Sequence, residues 1–149
     1  MEIVGCPVGS ERFCQDLVKN TLETMLSHSD DLAQLHPQAA SKLLLKCLAP
    51  APGFLSQICH PSVTKKPLEE FDCEIWDLWI KIIGGIGHGA EQLKMCNAGK
   101  DRAKEWAHLP TRTGGAGLSR WGTIADYAWY CSLAECTSLQ DIDLSSKKT

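Results

Sequence analysis

The sequence has no long apolar run. Its densest apolar stretches, such as Ile80 to Ile83, are a few residues long, far short of the roughly 20 that a membrane-spanning helix needs. The opening residues, MEIVGCPVGSERF, carry no basic head followed by an apolar segment, so the pattern of a secretory signal is missing. No Cys-x-x-Cys pair occurs. Cys131 and Cys136 stand five apart, an awkward interval for two metal ligands on one helical face. Alternation of apolar and polar residues never persists beyond about four or five positions, too short to mark a regular half-buried strand. Excess positive charge is missing too. The formal net charge is −3 and the pI about 5.9, which argues against a protein built mainly to bind nucleic acid.

What is present describes an ordinary globular domain. The 149 residues are 44% hydrophobic and 22% charged, enough for one core and close to average composition. Eight cysteines (Cys6, Cys14, Cys47, Cys59, Cys73, Cys96, Cys131, Cys136) are an even number. With no secretory signal and a good apolar complement, they read as reduced thiols in the core rather than a disulfide framework. That reading places the chain inside the cell, in the cytoplasm or nucleus. Charge is unevenly spread. His36 to Lys66 holds four lysines and no acid, Glu69 to Asp77 five acids and no base, and Lys94 to Arg120 six basic residues against two acids.

The periodicity is helical throughout. A first helix is expected from Ser10 to Ser27, with Ser10 as N-cap and a wide apolar face of Phe13, Leu17, Thr21 and Met25 extended by Val18, Leu22 and Leu26. Asp30 and Asp31 suit the start of a short turn holding Leu32 and Leu35. Pro37 opens a second helix whose buried side is Ala39, Ala40, Leu43, Leu44, Cys47 and Leu48, with Lys42 and Lys46 opposite; Pro50 and Pro52 end it. A helical turn at Phe54, Leu55 and Ile58 precedes His60 and Pro61. The third helix starts at Pro67 and ends at Gly84 and Gly85, with Leu68, Phe71, Ile75, Leu78, Trp79, Ile82 and Ile83 on one face. Two shorter helices follow, Ala90 to Cys96 and Lys100 to His108. The last runs from Thr123 to Cys136, packed through Ile124, Ala125, Ala128, Trp129, Cys131, Ser132 and Leu133. Met1 to Val8 allows one short strand.

Most candidate chemistry dissolves on inspection. GGIGHGA follows a helix rather than a strand, the wrong setting for a dinucleotide fingerprint. The acid pairs Asp30-Asp31 and Glu69-Glu70 lie at helix starts, where capping and the dipole account for them. No cysteine stands out as a nucleophile paired with a histidine. The loop LPTRTGGAGL keeps two readings. Its glycines permit positive φ and Arg112 is an anion-seeking group, yet a structural turn feeding the last helix explains the glycines equally well.

Four segments in order carry a resemblance: VGCPVGSERF, LHPQAASKLLLKCLAPAPGFLSQICHP, PLEEFDCEIWDLW and LPTRTGGAGLSRWGTIADYAWYCSLAE. Across Ile3 to Glu135 this arrangement resembles the thumb and connector that follow the palm in reverse-transcriptase-like proteins of non-LTR (LINE-type) retrotransposons. LPTRTGGAGL is its most specific part. The resemblance implies helices that support a template–primer duplex by sequence-independent backbone contacts. It points to Lys42, Lys46, Arg112 and Arg120 as the nucleic-acid-binding positions. The family's metal-binding aspartate hairpin has no counterpart here, nor do its endonuclease and its zinc knuckle.

The expectation is therefore a mainly α, single-domain irregular bundle of about five helices with at most a short N-terminal strand. Residues 1–136 form the domain and 137–149 a polar, frayed tail. The expected function is that of a retroelement-derived, non-catalytic fragment with weak sequence-independent binding to an RNA/DNA duplex, and without metal, cofactor or membrane. The alternative is a helical protein–protein interaction subunit that docks partners through its apolar helix faces and has no nucleic-acid role.

Overall fold

The computed structural model describes residues 2–3, 6–84 and 97–146. The fold is mainly α, as expected. At the N-terminus β1 (Glu2–Ile3) pairs antiparallel with β2 (Cys6–Pro7), so the expected short strand is a small hairpin. Helix α1 (Glu11–Leu26) begins where Ser10 predicts, its hydroxyl accepting from the Phe13 N–H at 3.4 Å. Cys14, Val18 and Leu22 form its buried line. The anticipated stripe through Phe13 is off by one position, and Phe13 stays exposed. Helix α2 (Ser29–Gln34) is fixed from outside by Lys81, whose ammonium donates to the Asp30 carboxylate at 2.7 Å. The pair is exposed and lowers the Asp30 pKa through that hydrogen bond.

Helix α3 (Pro37–Leu43) runs directly into a π-helical turn (Leu44–Leu48). There the Ala49 N–H donates five residues back, to the Leu44 carbonyl at 2.8 Å. One extra residue in the turn shifts the register, so that Leu44 and Ala49 are buried. Ala39, Leu43 and Cys47, expected inside, are exposed instead. Helix α4 (Gly53–Ile58) buries Gly53, Leu55 and Ser56.

Helix α5 (Pro61–Gly84) is the centre of the bundle and starts earlier than the sequence suggests. Pro61, not Pro67, opens it, because a proline's missing N–H costs nothing in the first turn. The His60 carbonyl accepts from the Val63 N–H at 3.0 Å, and the His60 ring accepts from the Ser62 N–H at 3.2 Å. Pro67 therefore sits inside the helix, at a cost of about 3 kcal/mol. Burial of Thr64 and Leu68 on either side helps offset it. Leu68, Phe71, Ile75 and Ile82 are at most 2% exposed, and each contributes roughly 1.5–3 kcal/mol by leaving water.

Helix α6 (Asn97–His108) inserts Ala107 into the core, and a 3-10 turn (Thr111–Thr113) follows. The helix expected at Ala90 to Cys96 lies outside the described residues. Helix α7 (Trp121–Ser146) crosses α5 and α4. It continues through residues 137–146, expected as a frayed tail, because no glycine or proline after Gly122 interrupts it. Its contact side is narrow. Gly122 and Ala125 are buried, Ala128, Trp129 and Ser132 half-buried, and Ile124, Cys131 and Leu133, expected to pack, are exposed. The described cysteines divide likewise: Cys14 and Cys59 are buried, while Cys47, Cys73, Cys131 and Cys136 are exposed rather than in the core. Among the described residues no helix is long and apolar enough to cross a membrane.

Candidate functional site

The loop LPTRTGGAGLSRW folds as a clasp between α6 and α7. Pro110 opens the 3-10 turn, and its carbonyl accepts from the Thr113 N–H (2.9 Å), the Thr113 hydroxyl (2.8 Å) and the Gly115 N–H (3.2 Å). Gly114 at φ +85° and Gly117 at φ +76° make the two left-handed steps that turn the chain back. Gly115 passes so close to the Leu109 carbonyl that a side chain would overlap it. The clasp is then sewn to α6. The Gly117 N–H donates to the Leu109 carbonyl at 2.9 Å and the Leu118 N–H to the Ala107 carbonyl at 3.0 Å, with Leu118 buried.

The far end of the clasp rests on Asp72 of α5. Its two carboxylate oxygens accept from the first backbone N–H groups of α7, Oδ1 from Trp121 at 3.1 Å and Oδ2 from Gly122 at 2.8 Å. A helix N-terminus carries orphan donors and positive potential, so a carboxylate there satisfies both. Burial nevertheless pushes the Asp72 carboxyl above its ordinary pKa, against the opposing pull of those two N–H groups and of nearby His108 and Arg120. The Trp121 ring covers Gly53, where an added Cβ would come within 2.7 Å of it, and its indole N–H donates to the Ala49 carbonyl at 2.6 Å.

His108 closes the cluster. Its Nδ1–H donates to the Leu118 carbonyl at 3.1 Å, which leaves Nε2 buried with no hydrogen-bond partner among the described residues. Burial is the main cause that lowers its pKa, with Arg120 and Lys104 adding to the effect. The folded state holds fewer protons than the unfolded chain below about pH 6.5, so the stability from neutral His108 is complete above that pH. It is lost as pH falls from there through the lowered folded pKa. Urea midpoints measured from about pH 7.5 down to 5 should therefore decline, and His108→Gln should flatten the decline. Equal slopes in the two proteins would show that His108 is not held neutral.

The four cations singled out in the sequence sit on two separate parts of the fold. Lys42 and Lys46 are exposed on α3 and its π turn; Arg112 is exposed on the 3-10 turn; Arg120 is exposed at the end of the clasp, near Asp72 and His108. None of the four is in an ion pair among the described residues, whereas Lys19, Lys65 and Lys81 each face a carboxylate. The Asp30-Asp31 pair binds Lys81 and His28 respectively, and no group of three metal-ligating side chains occurs among the described residues. Asp72 carries no special role in the sequence reading, yet a signal for it exists. It falls four residues after Leu68 and three before Ile75, a lone carboxylate on the apolar stripe of α5. No protein-family model, no curated protein and no solved structure matches this chain.

Proposed function

We propose that the chain is a non-catalytic module of the thumb-and-connector kind, derived from a non-LTR retroelement, that holds a template–primer duplex through phosphate contacts from Lys42, Lys46, Arg112 and Arg120. The observation that carries the reading is the exposure of these four cations without an acidic partner among the described residues. An unpaired surface cation meets a phosphate without first breaking an ion pair, and displaces counterions from the duplex as it does so. The clasp supports the reading because it fixes Arg112 and Arg120 at its two ends on a rigid backbone. Four exposed thiols among the described residues suit a reducing compartment, the cytoplasm or nucleus.

Binding to a labelled RNA–DNA duplex is expected to weaken log-linearly with salt, with a slope set by about four phosphate contacts. Lys42→Glu with Lys46→Glu should weaken it uniformly across sequences and reduce the slope by about 2. Absence of binding at low salt, or binding that the double variant leaves unchanged, would overturn the assignment. A second reading, a helical protein-interaction subunit with no nucleic-acid role, is favoured by the outer face of α7, where Tyr127 is 73% and Tyr130 61% exposed. Under it the salt series shows no duplex binding, while Tyr127→Asp abolishes assembly with a protein partner.

A further inference from the structure

A recess of about 320 Å³ opens between α1 and α5. Its floor is apolar, with Leu26, Pro67 and the buried Phe71, and its rims carry Glu23, Glu70 and Glu74 against Lys19. Lys19 leans toward Glu23 at 3.9 Å, and among the described residues neither Glu70 nor Glu74, one turn apart on α5, is in an ion pair. The recess does not stand alone. Toward the start of α5 it continues into a second, of about 280 Å³, that shares Pro67 and Glu70 and adds Asp16. Toward the other end it continues into a third, of about 160 Å³, that shares Leu26 and Glu74 and adds Asp30 and Asp77. The three form one trough along α1 from Gln15 to Leu26, a length of about 18 Å. Around it carboxylates outnumber cations six to three, and one of those cations, Lys81, is already held by Asp30.

We infer that this trough is the docking site of a cationic amphipathic helix from a protein partner. The chemistry fixes the kind of partner. An apolar floor asks for a leucine- or phenylalanine-sized side chain, and acidic rims of this excess ask for lysine or arginine beside it. A duplex or a lipid phosphate is repelled by the same rims, so the site is independent of the four cations proposed above to hold nucleic acid. The run of three recesses beside Gln15 to Leu26 matches about three turns of helix, with anchors at i, i+3/i+4 and i+7.

The test uses the full chain and a fluorescent helical peptide made of leucine and lysine, with leucines at three- and four-residue spacing. The expected result is binding that weakens with salt, absent for the same peptide with glutamate in place of lysine. Glu70→Lys with Glu74→Lys should weaken binding at least about tenfold, while Asp101→Lys with Glu135→Lys, an equal change in net charge at exposed positions away from the trough, should alter it less than about twofold. Both glutamates are exposed, so the variants keep the fold, which circular dichroism checks. Equal loss in both double variants would reduce the effect to net charge and overturn the inference. So would absence of binding at low salt. Self-association of the chain that Glu70→Lys with Glu74→Lys abolishes would also overturn it, since a second copy then fills the trough.

Discussion

Asp72→Ala is expected to destabilise the protein by about 3 kcal/mol, the penalty of leaving two backbone N–H donors at the start of α7 unsatisfied. For a domain of this size that is a fall in Tm of roughly 10 °C. The variant leaves the Trp121 and Gly122 N–H groups, now bonded at 3.1 and 2.8 Å, without an acceptor in a place that water reaches poorly. Asp72→Asn should fall between the native protein and Asp72→Ala, because its carbonyl replaces one oxygen and its amide carries no charge to bury. The pH dependence separates the effects. The folded pKa is raised, so from about pH 3.9 up to that value the folded state holds more protons than the unfolded chain. Stability from this group therefore declines as pH rises through that interval and is level above it, and Asp72→Asn removes the decline. Denaturant unfolding with hydrogen exchange at Trp121 and Gly122 measures both. A change of less than about 1 kcal/mol in Asp72→Ala would mean that the cap is dispensable.

Gly122→Val should cost about as much, roughly 3 kcal/mol, through a different cause. A Cβ at this position meets the Glu69 side chain and lies 3.1 Å from the Glu69 Cα and 3.2 Å from its nitrogen. The obstacle is the backbone of α5, which cannot rotate away as a side chain can. The two helices must separate, and Ala125, fully buried one turn later, leaves its contact with them. Gly114→Ala is the matched control. Nothing lies within 4 Å of a Cβ there, and its cost comes from the φ of +85° alone, about 1 kcal/mol. If Gly122→Val were no worse than Gly114→Ala in urea unfolding, the close approach of α5 and α7 would be wrong. Because Asp72 and Gly122 share a hydrogen bond, the double variant Asp72→Ala, Gly122→Val should fall short of additivity.

How much of this was legible in the sequence varies by element, and the pattern has a physical explanation. Local chemistry was readable. Ser10 caps α1, Pro37 opens α3, and the glycines of TRTGGAGL turn the chain, because each effect is settled within a few residues. Tertiary choices were not. Two prolines could open α5, and Pro61 does so because Thr64 and Leu68 are drawn into the core. The π turn carries no local mark, since it is selected by the burial of Leu44 and Ala49 together and by the Trp121 indole reaching the Ala49 carbonyl. On α7 the composition is apolar on every side, so periodicity alone had no power to separate the buried Ala125 from the exposed Tyr127 and Leu133. Of the candidate site, the four cations were named by the resemblance rather than by their spacing, whereas Asp72 needed the geometry of its stripe to be weighed against its charge.

The attachment of α7 also bears on how the chain reaches this fold. Its first turn is tied to Ala49 across 72 residues and to Asp72 across 49 and 50, and its next turn to Lys65 across 61. In free energy such distance matters little, since each doubling of a loop adds only about 0.6 kcal/mol of closure entropy. In time it matters a great deal, because contacts so far apart in the chain are found late in a search that local helices complete early. The arrival of the last helix is therefore expected to be the slow event, and Asp72→Ala should slow refolding in stopped-flow measurements; an unchanged refolding rate would place the slow step elsewhere.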